Sequence, residues 1–120
     1  MFVGVVVTGS GHARLMIRGV GPALQELGIS QYIANPTQTF YRHASGTQTI
    51  IATNDDWWNS AQGDQTAELG ALLGAFPLKS GSADSVVLRL CEPGVYSAII
   101  SPSDSTPGVA LAEIYQANSP

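Results

Sequence analysis

The chain has 120 residues, of which 44% are hydrophobic and only 12% charged, with a formal net charge of −4. This length fits one domain with its own core, and the composition excludes a disordered chain. Five basic residues, spread singly, provide no patch for phosphates, so we predict no nucleic-acid partner. No apolar run reaches the roughly 18 residues that span a bilayer, so we predict no membrane insertion.

The first two predicted elements are strands. Phe2 to Thr8 is a β-branched run, and Gly9-Ser-Gly supplies the turn chemistry for a hairpin with Ala13 to Gly19. In the second strand, Arg14, Met16 and Arg18 alternate with Leu15 and Ile17. Period two places the arginines on an outward face, which we interpret as solvated or, alternatively, as an interface stripe.

A short helix follows the second strand. Pro22 suits its first turn, and Gly28 suits its end after Leu27. Thr37 to Arg42 and Thr47 to Thr53 then form a second predicted hairpin around Ala44-Ser-Gly.

The second half of the chain continues the β pattern after one helix. Helix formers predict a helix over Gln65 to Leu73. Three strands, separated by turn signals, follow at Ser85 to Cys91, Val95 to Ser101 and Val109 to Tyr115. Seven short strands with two short helices predict an all-β fold, an antiparallel β-sandwich or jelly roll formed by residues 1–120 as one domain.

Several segments resemble a known module. They are LMIRGVGPAL, ANPTQTFY, IIATNDDW, LGAFPLKSGSADSVVLRL, PGVYSAIIS and GVALAEIYQ. Between Val3 and Gln116 the chain resembles a β-sandwich accessory module that recurs in large secreted and surface proteins of environmental bacteria. Its second half is similar to the bacterial pre-peptidase C-terminal domain, in which an Asn-Asp-Asp loop ends one strand and Pro-Gly-x-Tyr begins a later one.

The resemblance implies a non-catalytic module of an extracellular or cell-surface system, associated in some relatives with calcium or carbohydrate. The N-terminus itself has neither the basic region nor the long apolar core of a signal peptide. The residues alone therefore predict a cytosolic chain or a piece whose export signal lies elsewhere. Cys91 is the single cysteine, and we interpret it as a buried strand residue.

Asn54, Asp55 and Asp56 form the densest group of oxygen ligands in the chain. Ca²⁺ takes six to eight oxygens from carboxylates, amides and carbonyls. These three side chains cannot all face one ion from a regular strand, so we expect a turn, with Asp64, Asp84 or Glu113 completing the shell. The alternative is a turn in which Asn and Asp bond their own backbone.

Trp57 and Trp58 follow directly. A tryptophan offers a large apolar face with one polar N–H, which suits stacking on a sugar or anchoring an interface. Adjacent residues of an extended chain point to opposite sides, so at most one belongs in the core. The alternative interpretation is core packing by one ring and loop cover by the other.

No catalytic motif emerges from the sequence. His12 and His43 lack zinc spacing, and Ser10 is too close to His12 for a triad. We predict a non-catalytic binding or structural module with a carbohydrate or protein ligand. The rival is a small carbohydrate-active hydrolase using Asp55 or Asp56. Open sheet edges, including Phe2 to Val7, predict a homo-oligomer, most simply a two-fold dimer.

Overall fold

The computed structural model describes residues 1–59, 63–79, 81–104 and 106–117. The chain forms an antiparallel β-sandwich of two sheets, which confirms the predicted fold class. The strands are β1 (Phe2–Val7), β2 (Ala13–Val20), β3 (Pro36–Ala44), β4 (Thr47–Asn54), β5 (Ser85–Cys91), β6 (Gly94–Pro102) and β7 (Leu111–Ala117). The four-stranded sheet has the order β1-β6-β3-β4, and the three-stranded sheet has the order β5-β2-β7.

The predicted hairpin of the first two strands is wrong. β1 pairs with β6 in one sheet, whereas β2 pairs with β5 and β7 in the other. The turn at Gly9, whose φ is 98°, carries the chain between the sheets instead of folding it back within one. Turn residues indicate that the chain reverses direction, but they do not specify with which strand the next strand pairs.

The second predicted hairpin is confirmed. β3 and β4 pair around Ser45 and Gly46, both of which have positive φ values, 52° and 78°. Such a pair of left-handed residues matches the right-handed twist of the flanking strands. The ladder shifts register between Phe40 and Tyr41, so Ile51 is an extra residue of β4.

Among the described residues, three helical segments connect the strands. A 3₁₀ helix spans Pro22–Leu27 and ends at the left-handed Gly28, as the Pro and Gly signals predict. A 3₁₀ turn spans Trp57–Asn59. Helix α1 spans Gly63–Leu72, which confirms the predicted helix over 65–73 with its start two residues earlier. No helix among the described residues is long and apolar enough to cross a membrane.

The main core lies between the two sheets. Ile17 from β2, Phe40 from β3 and Tyr96 from β6 are buried there, and the rings of Phe40 and Tyr96 stack with centroids 5.5 Å apart. An offset aromatic pair of this kind adds about 0.5–1.5 kcal/mol to the stabilisation from burial. Cys91 is buried in the same core as a free thiol, and burial raises its pKa.

A covering layer packs on the outer face of the three-stranded sheet. We define it as Trp57–Asn59, α1 and residues 73–78. Its apolar side chains pack against Met16, Val86 and Leu88 of the sheet. The prediction of a solvated face on β2 is therefore wrong at Arg18, whose side chain is buried with only 2% exposure. Arg14, on the same face, is half-buried. Period two separates the faces of a strand, but it does not tell whether solvent or another layer meets each face.

Candidate functional site

Asp84 fastens the covering layer to the end of the sandwich. Its buried Oδ1 accepts hydrogen bonds from the N–H groups of Gly21 at 2.7 Å and Ala23 at 3.2 Å. Its backbone C=O accepts the N–H of Trp57 at 2.9 Å. One residue therefore joins the start of the first 3₁₀ helix, the entry of β5 and the tryptophan turn.

The indole of Trp57 is held by the same system. Its Nε1–H donates to Ser82 Oγ at 3.1 Å, and Ser82 Oγ donates to Asp84 Oδ2 at 2.7 Å. Trp57 is 7% exposed, whereas Trp58 is 49% exposed. One tryptophan is thus packed inside and its neighbour faces outward, so the two rings do not share one stacking platform.

A cavity of about 70 Å³ lies between the three-stranded sheet and the covering layer. Met16 and Arg18 form its floor, and Trp57, Phe76 and Leu78 are among its walls. Phe76 and Leu78 also line an open groove of about 380 Å³ next to the 3₁₀ helix. A cavity that holds benzene measures about 150 Å³, so this one has room for a side group and not for a whole ring.

Arg18 is the charged residue that lines the cavity. Its guanidinium carbon lies 4.5 Å from the centre of the Phe76 ring, a cation–π contact. Its Nε lies 3.3 Å from Glu113 Oε1, but the N–H is not aligned for a hydrogen bond, so the contact is an ion pair only. Arg18 Nη2 is buried and has no hydrogen-bond partner within the described residues.

Glu113 balances the charge of Arg18. Its Oε2 accepts the hydroxyl of Tyr115 at 2.8 Å. The pKa of Tyr115 is raised, first by burial and then by this hydrogen bond to the carboxylate, so the phenol stays protonated. Because the ion pair is already neutral, Arg18 Nη2 is a strong donor without a net positive field, and it suits a neutral acceptor better than an anion.

The Asn54–Asp56 cluster lies where the sequence predicts it, at the end of β4. Asn54 Oδ1 accepts the N–H of Val86 at 2.9 Å and its Nδ2 donates to the C=O of Asp56 at 3.4 Å. Asn54 thus links β4 to the edge of β5. Asp55 is exposed and Asp56 is half-buried; burial first, and then the charge of Asp55, raise the pKa of Asp56.

The carboxylates predicted to complete a calcium shell have other contacts. Asp84 accepts backbone N–H groups, and Glu113 faces Arg18. The side chain of Asp64 lies outside the described residues. Within the described part of the chain, no three His, Cys, Asp or Glu residues come close enough to hold one ion. A calcium site here would rest on Asn54 to Asp56 with backbone carbonyls and water.

A Ser–His contact occurs on the other sheet. His43 Nε2 lies 2.7 Å from Ser97 Oγ, across the β3–β6 ladder. Ser97 is buried, and in the described ranges no carboxylate lies within ion-pair distance of His43. A nucleophile needs access to substrate and its base needs an orienting partner, so this pair carries no catalytic assignment.

Sequence reasoning missed Arg18 and Phe76 as cavity residues. The available signal was weak. An apolar Phe76-Pro-Leu segment in a connecting stretch indicates contact with something buried, but it does not say what. Comparisons of the chain with protein-family models, with curated proteins and with solved structures found no match.

Proposed function

We propose that this protein is a non-catalytic binding module whose ligand inserts a neutral, hydrogen-bond-accepting group into the Arg18 cavity. The observation that carries the proposal is the buried Nη2 of Arg18, which has no hydrogen-bond partner in the described chain, on a residue that lines a cavity beside Trp57 and Phe76. Leaving such a donor unsatisfied costs about 1–3 kcal/mol, so an acceptor that reaches it would gain that amount.

The chemistry of the cavity favours a carbohydrate. A sugar hydroxyl or ring oxygen accepts a hydrogen bond from a guanidinium without bringing a charge, and the C–H groups of a sugar pack on aromatic walls such as Trp57 and Phe76. The small volume requires that only a substituent enters, while the body of the ligand stays in the open groove beside Phe76. A protein side chain with an amide or hydroxyl is the alternative ligand.

The experiment uses two substitutions in α1 that differ only in position. Ala67 lines the cavity and Ala71 does not, and both are exposed. Calorimetric titration with a panel of soluble neutral oligosaccharides should give binding to the native chain. Ala67→Phe should weaken it by about tenfold or more, equivalent to about 1.4 kcal/mol, whereas Ala71→Phe should leave it unchanged.

Equal weakening by both substitutions, or none by either, would reject the cavity as the site. Absence of heat with every sugar would reject the carbohydrate class. The same mixtures, assayed for new reducing ends, test the rival hydrolase. One observation favours that rival, since burial raises the pKa of Asp56, and the pKa of a general acid is shifted in the same direction. Release of reducing ends that Asp56→Asn abolishes would replace the binding proposal with the enzymatic one.

The wider setting follows from the resemblance stated above. We assign the module to an extracellular or cell-surface system, with Ca²⁺ at Asn54 to Asp56 as a stabilising ion and not as a reactant. The proposal is supported by the exposure of Asp55 and by its charge, which, after burial, helps to raise the pKa of Asp56, since a cation there would offset the repulsion between the two carboxylates.

A further inference from the structure

The edges of the two sheets are protected to different degrees. β1 and β4 end the four-stranded sheet, and β5 and β7 end the three-stranded sheet. An unprotected edge exposes a row of N–H and C=O groups that pair with any extended chain of matching geometry.

Three edges carry features that hinder such pairing. On β4, the C=O of Ile51 at the bulge accepts a hydrogen bond from Arg89 Nη1 at 2.8 Å. On β5, the N–H of Val86 is bound by Asn54 Oδ1 at 2.9 Å, and Arg89 adds a charge. On β7, Glu113 places a charged residue in the middle of the strand. Occupied backbone groups, bulges and charges are the known defences of edge strands.

β1 has none of these features. Its register with β6 is unbroken from Phe2 to Val7, and the segment FVGVVV has no charged residue and no proline. Met1 and Ile100 exchange both backbone hydrogen bonds, at 2.7 and 2.8 Å. Because such pairs alternate along an antiparallel ladder, the N–H and C=O groups of Phe2, Gly4 and Val6 point away from β6, towards the free edge.

We propose that this free edge pairs with the β1 strand of a second copy of the chain, antiparallel and about a two-fold axis at Gly4. Phe2 then lies opposite Val6 of the second copy, and Gly4 lies opposite itself. The three outward residues of each strand exchange their N–H and C=O groups with those of the other. On the outer face, Phe2 of each copy pairs with Val6 of the other, and such aromatic–β-branched pairs stabilise neighbouring strands.

The symmetry of the strand favours a second copy as the partner, because a two-fold axis at Gly4 sets Phe2 of each copy opposite Val6 of the other. Each chain carries a net charge of −4, so two copies meet with least repulsion on an uncharged surface. β1 is uncharged, and Phe2 and Val6 beside its free edge are exposed apolar residues. Pairing about a two-fold axis consumes both free edges, so the assembly closes as a dimer with one continuous eight-stranded sheet.

Sedimentation velocity on the full 120-residue chain, from micromolar to sub-millimolar concentration, tests the proposal. We expect a species of twice 12.5 kDa. Val6→Lys should shift it to monomer, because the substitution places a charge on the free edge. Ile50→Lys is the matched control, since Ile50 is an exposed β-branched residue on β4, the opposite edge of the same sheet, and it should leave the dimer intact.

A second variant acts on the backbone alone. Gly4→Pro removes an N–H that faces the free edge and leaves the β1–β6 hydrogen bonds in place, and no heavy atom lies within 4 Å of a Cβ at Gly4. We expect a folded monomer by circular dichroism and loss of the concentration-dependent protection of the Val6 amide in hydrogen exchange. A native chain that stays monomeric, an open-ended series of oligomers, or a dimer that survives both Val6→Lys and Gly4→Pro would overturn the proposal.

Discussion

The outer faces of the two sheets differ in what covers them. The three-stranded sheet carries a covering layer, so Met16 and Arg18 are buried on the side of β2 that faces away from the main core. The four-stranded sheet carries no such layer within the described residues, and Phe2, Val6 and Val95 are exposed on its outer face. One sheet therefore has two buried faces and the other has one.

The difference explains the composition of β2. A strand buried on both faces is expected to be a nearly continuous apolar run, and Leu15, Met16 and Ile17 fit that description. Arg18 interrupts the run, and its charge is offset by Glu113 and by the ring of Phe76. A buried charge of this kind requires a partner, and a fully apolar residue would pack there at lower cost. A charge at a position where an apolar residue would pack at lower cost agrees with the binding role proposed above.

Each sheet also has an arginine–glutamate pair beside an aromatic ring. In the three-stranded sheet the pair is Arg18 with Glu113, of which the arginine is buried. On the four-stranded sheet, Arg42 of β3 pairs with Glu92, which lies in the connection between β5 and β6. Glu92 is exposed and Arg42 is half-buried, so this pair is the more solvated of the two. The same chemistry thus occurs in a protected and in a solvated setting, which permits a controlled comparison of their contributions.

The largest effect is expected where the covering layer is fastened. Asp84→Ala leaves the buried N–H groups of Gly21 and Ala23 without acceptors, and it removes the partner of Ser82. At about 1–3 kcal/mol for each unsatisfied group, we expect a loss of about 3–5 kcal/mol in the free energy of unfolding, measured by urea denaturation.

The control for this substitution is Asp104→Ala. Asp104 Oδ1 also accepts a backbone N–H, that of Thr106, but in an exposed turn where water replaces it. We expect a loss of less than about 1 kcal/mol. Equal losses from the two substitutions would show that Asp84 does not hold the covering layer in the way described.

A smaller effect is expected at the ion pairs. Glu113→Gln keeps the shape of the side chain and its acceptor for Tyr115, but it leaves the Arg18 charge buried without compensation. Breaking a buried pair costs about 3–5 kcal/mol, and because the Glu113 side chain is 22% exposed we expect about 2 kcal/mol. Glu92→Gln should leave the thermal midpoint unchanged, since water and salt screen the exposed pair. A larger loss of stability from Glu92→Gln than from Glu113→Gln would contradict the expectation that the buried ion pair contributes more than the exposed one.

Local signals in the sequence predicted the local structure well. The Pro22 and Gly28 signals placed the first 3₁₀ helix, and the turn residues around Gly46 placed the β3–β4 hairpin, because these features depend on φ and on a few neighbours. The pairing of β1 with β6 joins residues more than 80 positions apart. No periodicity in one strand identifies so distant a partner, which is why the first hairpin was predicted wrongly.

The candidate site was predicted only in part, because its contacts also join residues that are distant in the sequence. The sequence places Asn54 to Asp56 at a strand end and one tryptophan inside, and the structure agrees on both positions. The contact of Asn54 with Val86 and the cavity floor at Arg18 arise only when separate elements meet. Arg18 in particular fits a solvated face as well as a covered one until the covering layer is located.

The smallest effect expected without an added ligand concerns the loop that follows β4 of the four-stranded sheet. Burial and the charge of Asp55 raise the pKa of Asp56 in the folded chain above its ordinary value of 3.8. A carboxyl with a raised folded pKa stabilises the fold while it is protonated, at low pH, and this contribution is lost as the pH rises through the folded pKa. Without calcium, Asp56→Asn should therefore melt slightly above the native chain at neutral pH, and the difference should shrink in acid.

Calcium should reverse that order if the loop binds it. Saturating Ca²⁺ at about a hundredfold excess over the dissociation constant adds about 2.7 kcal/mol to the native chain, and Mg²⁺ adds much less because it demands octahedral geometry. Asp55→Asn and Asp56→Asn should remove the response, whereas Asp104→Asn, in another exposed turn, should retain it. Melting curves that respond to neither calcium nor a chelator would leave Asn54 to Asp56 as a turn, in which Asn54 Oδ1 accepts the N–H of Val86 at the edge of β5. The four-stranded sheet would then differ from the three-stranded sheet in the covering layer that it lacks, and not in binding an ion.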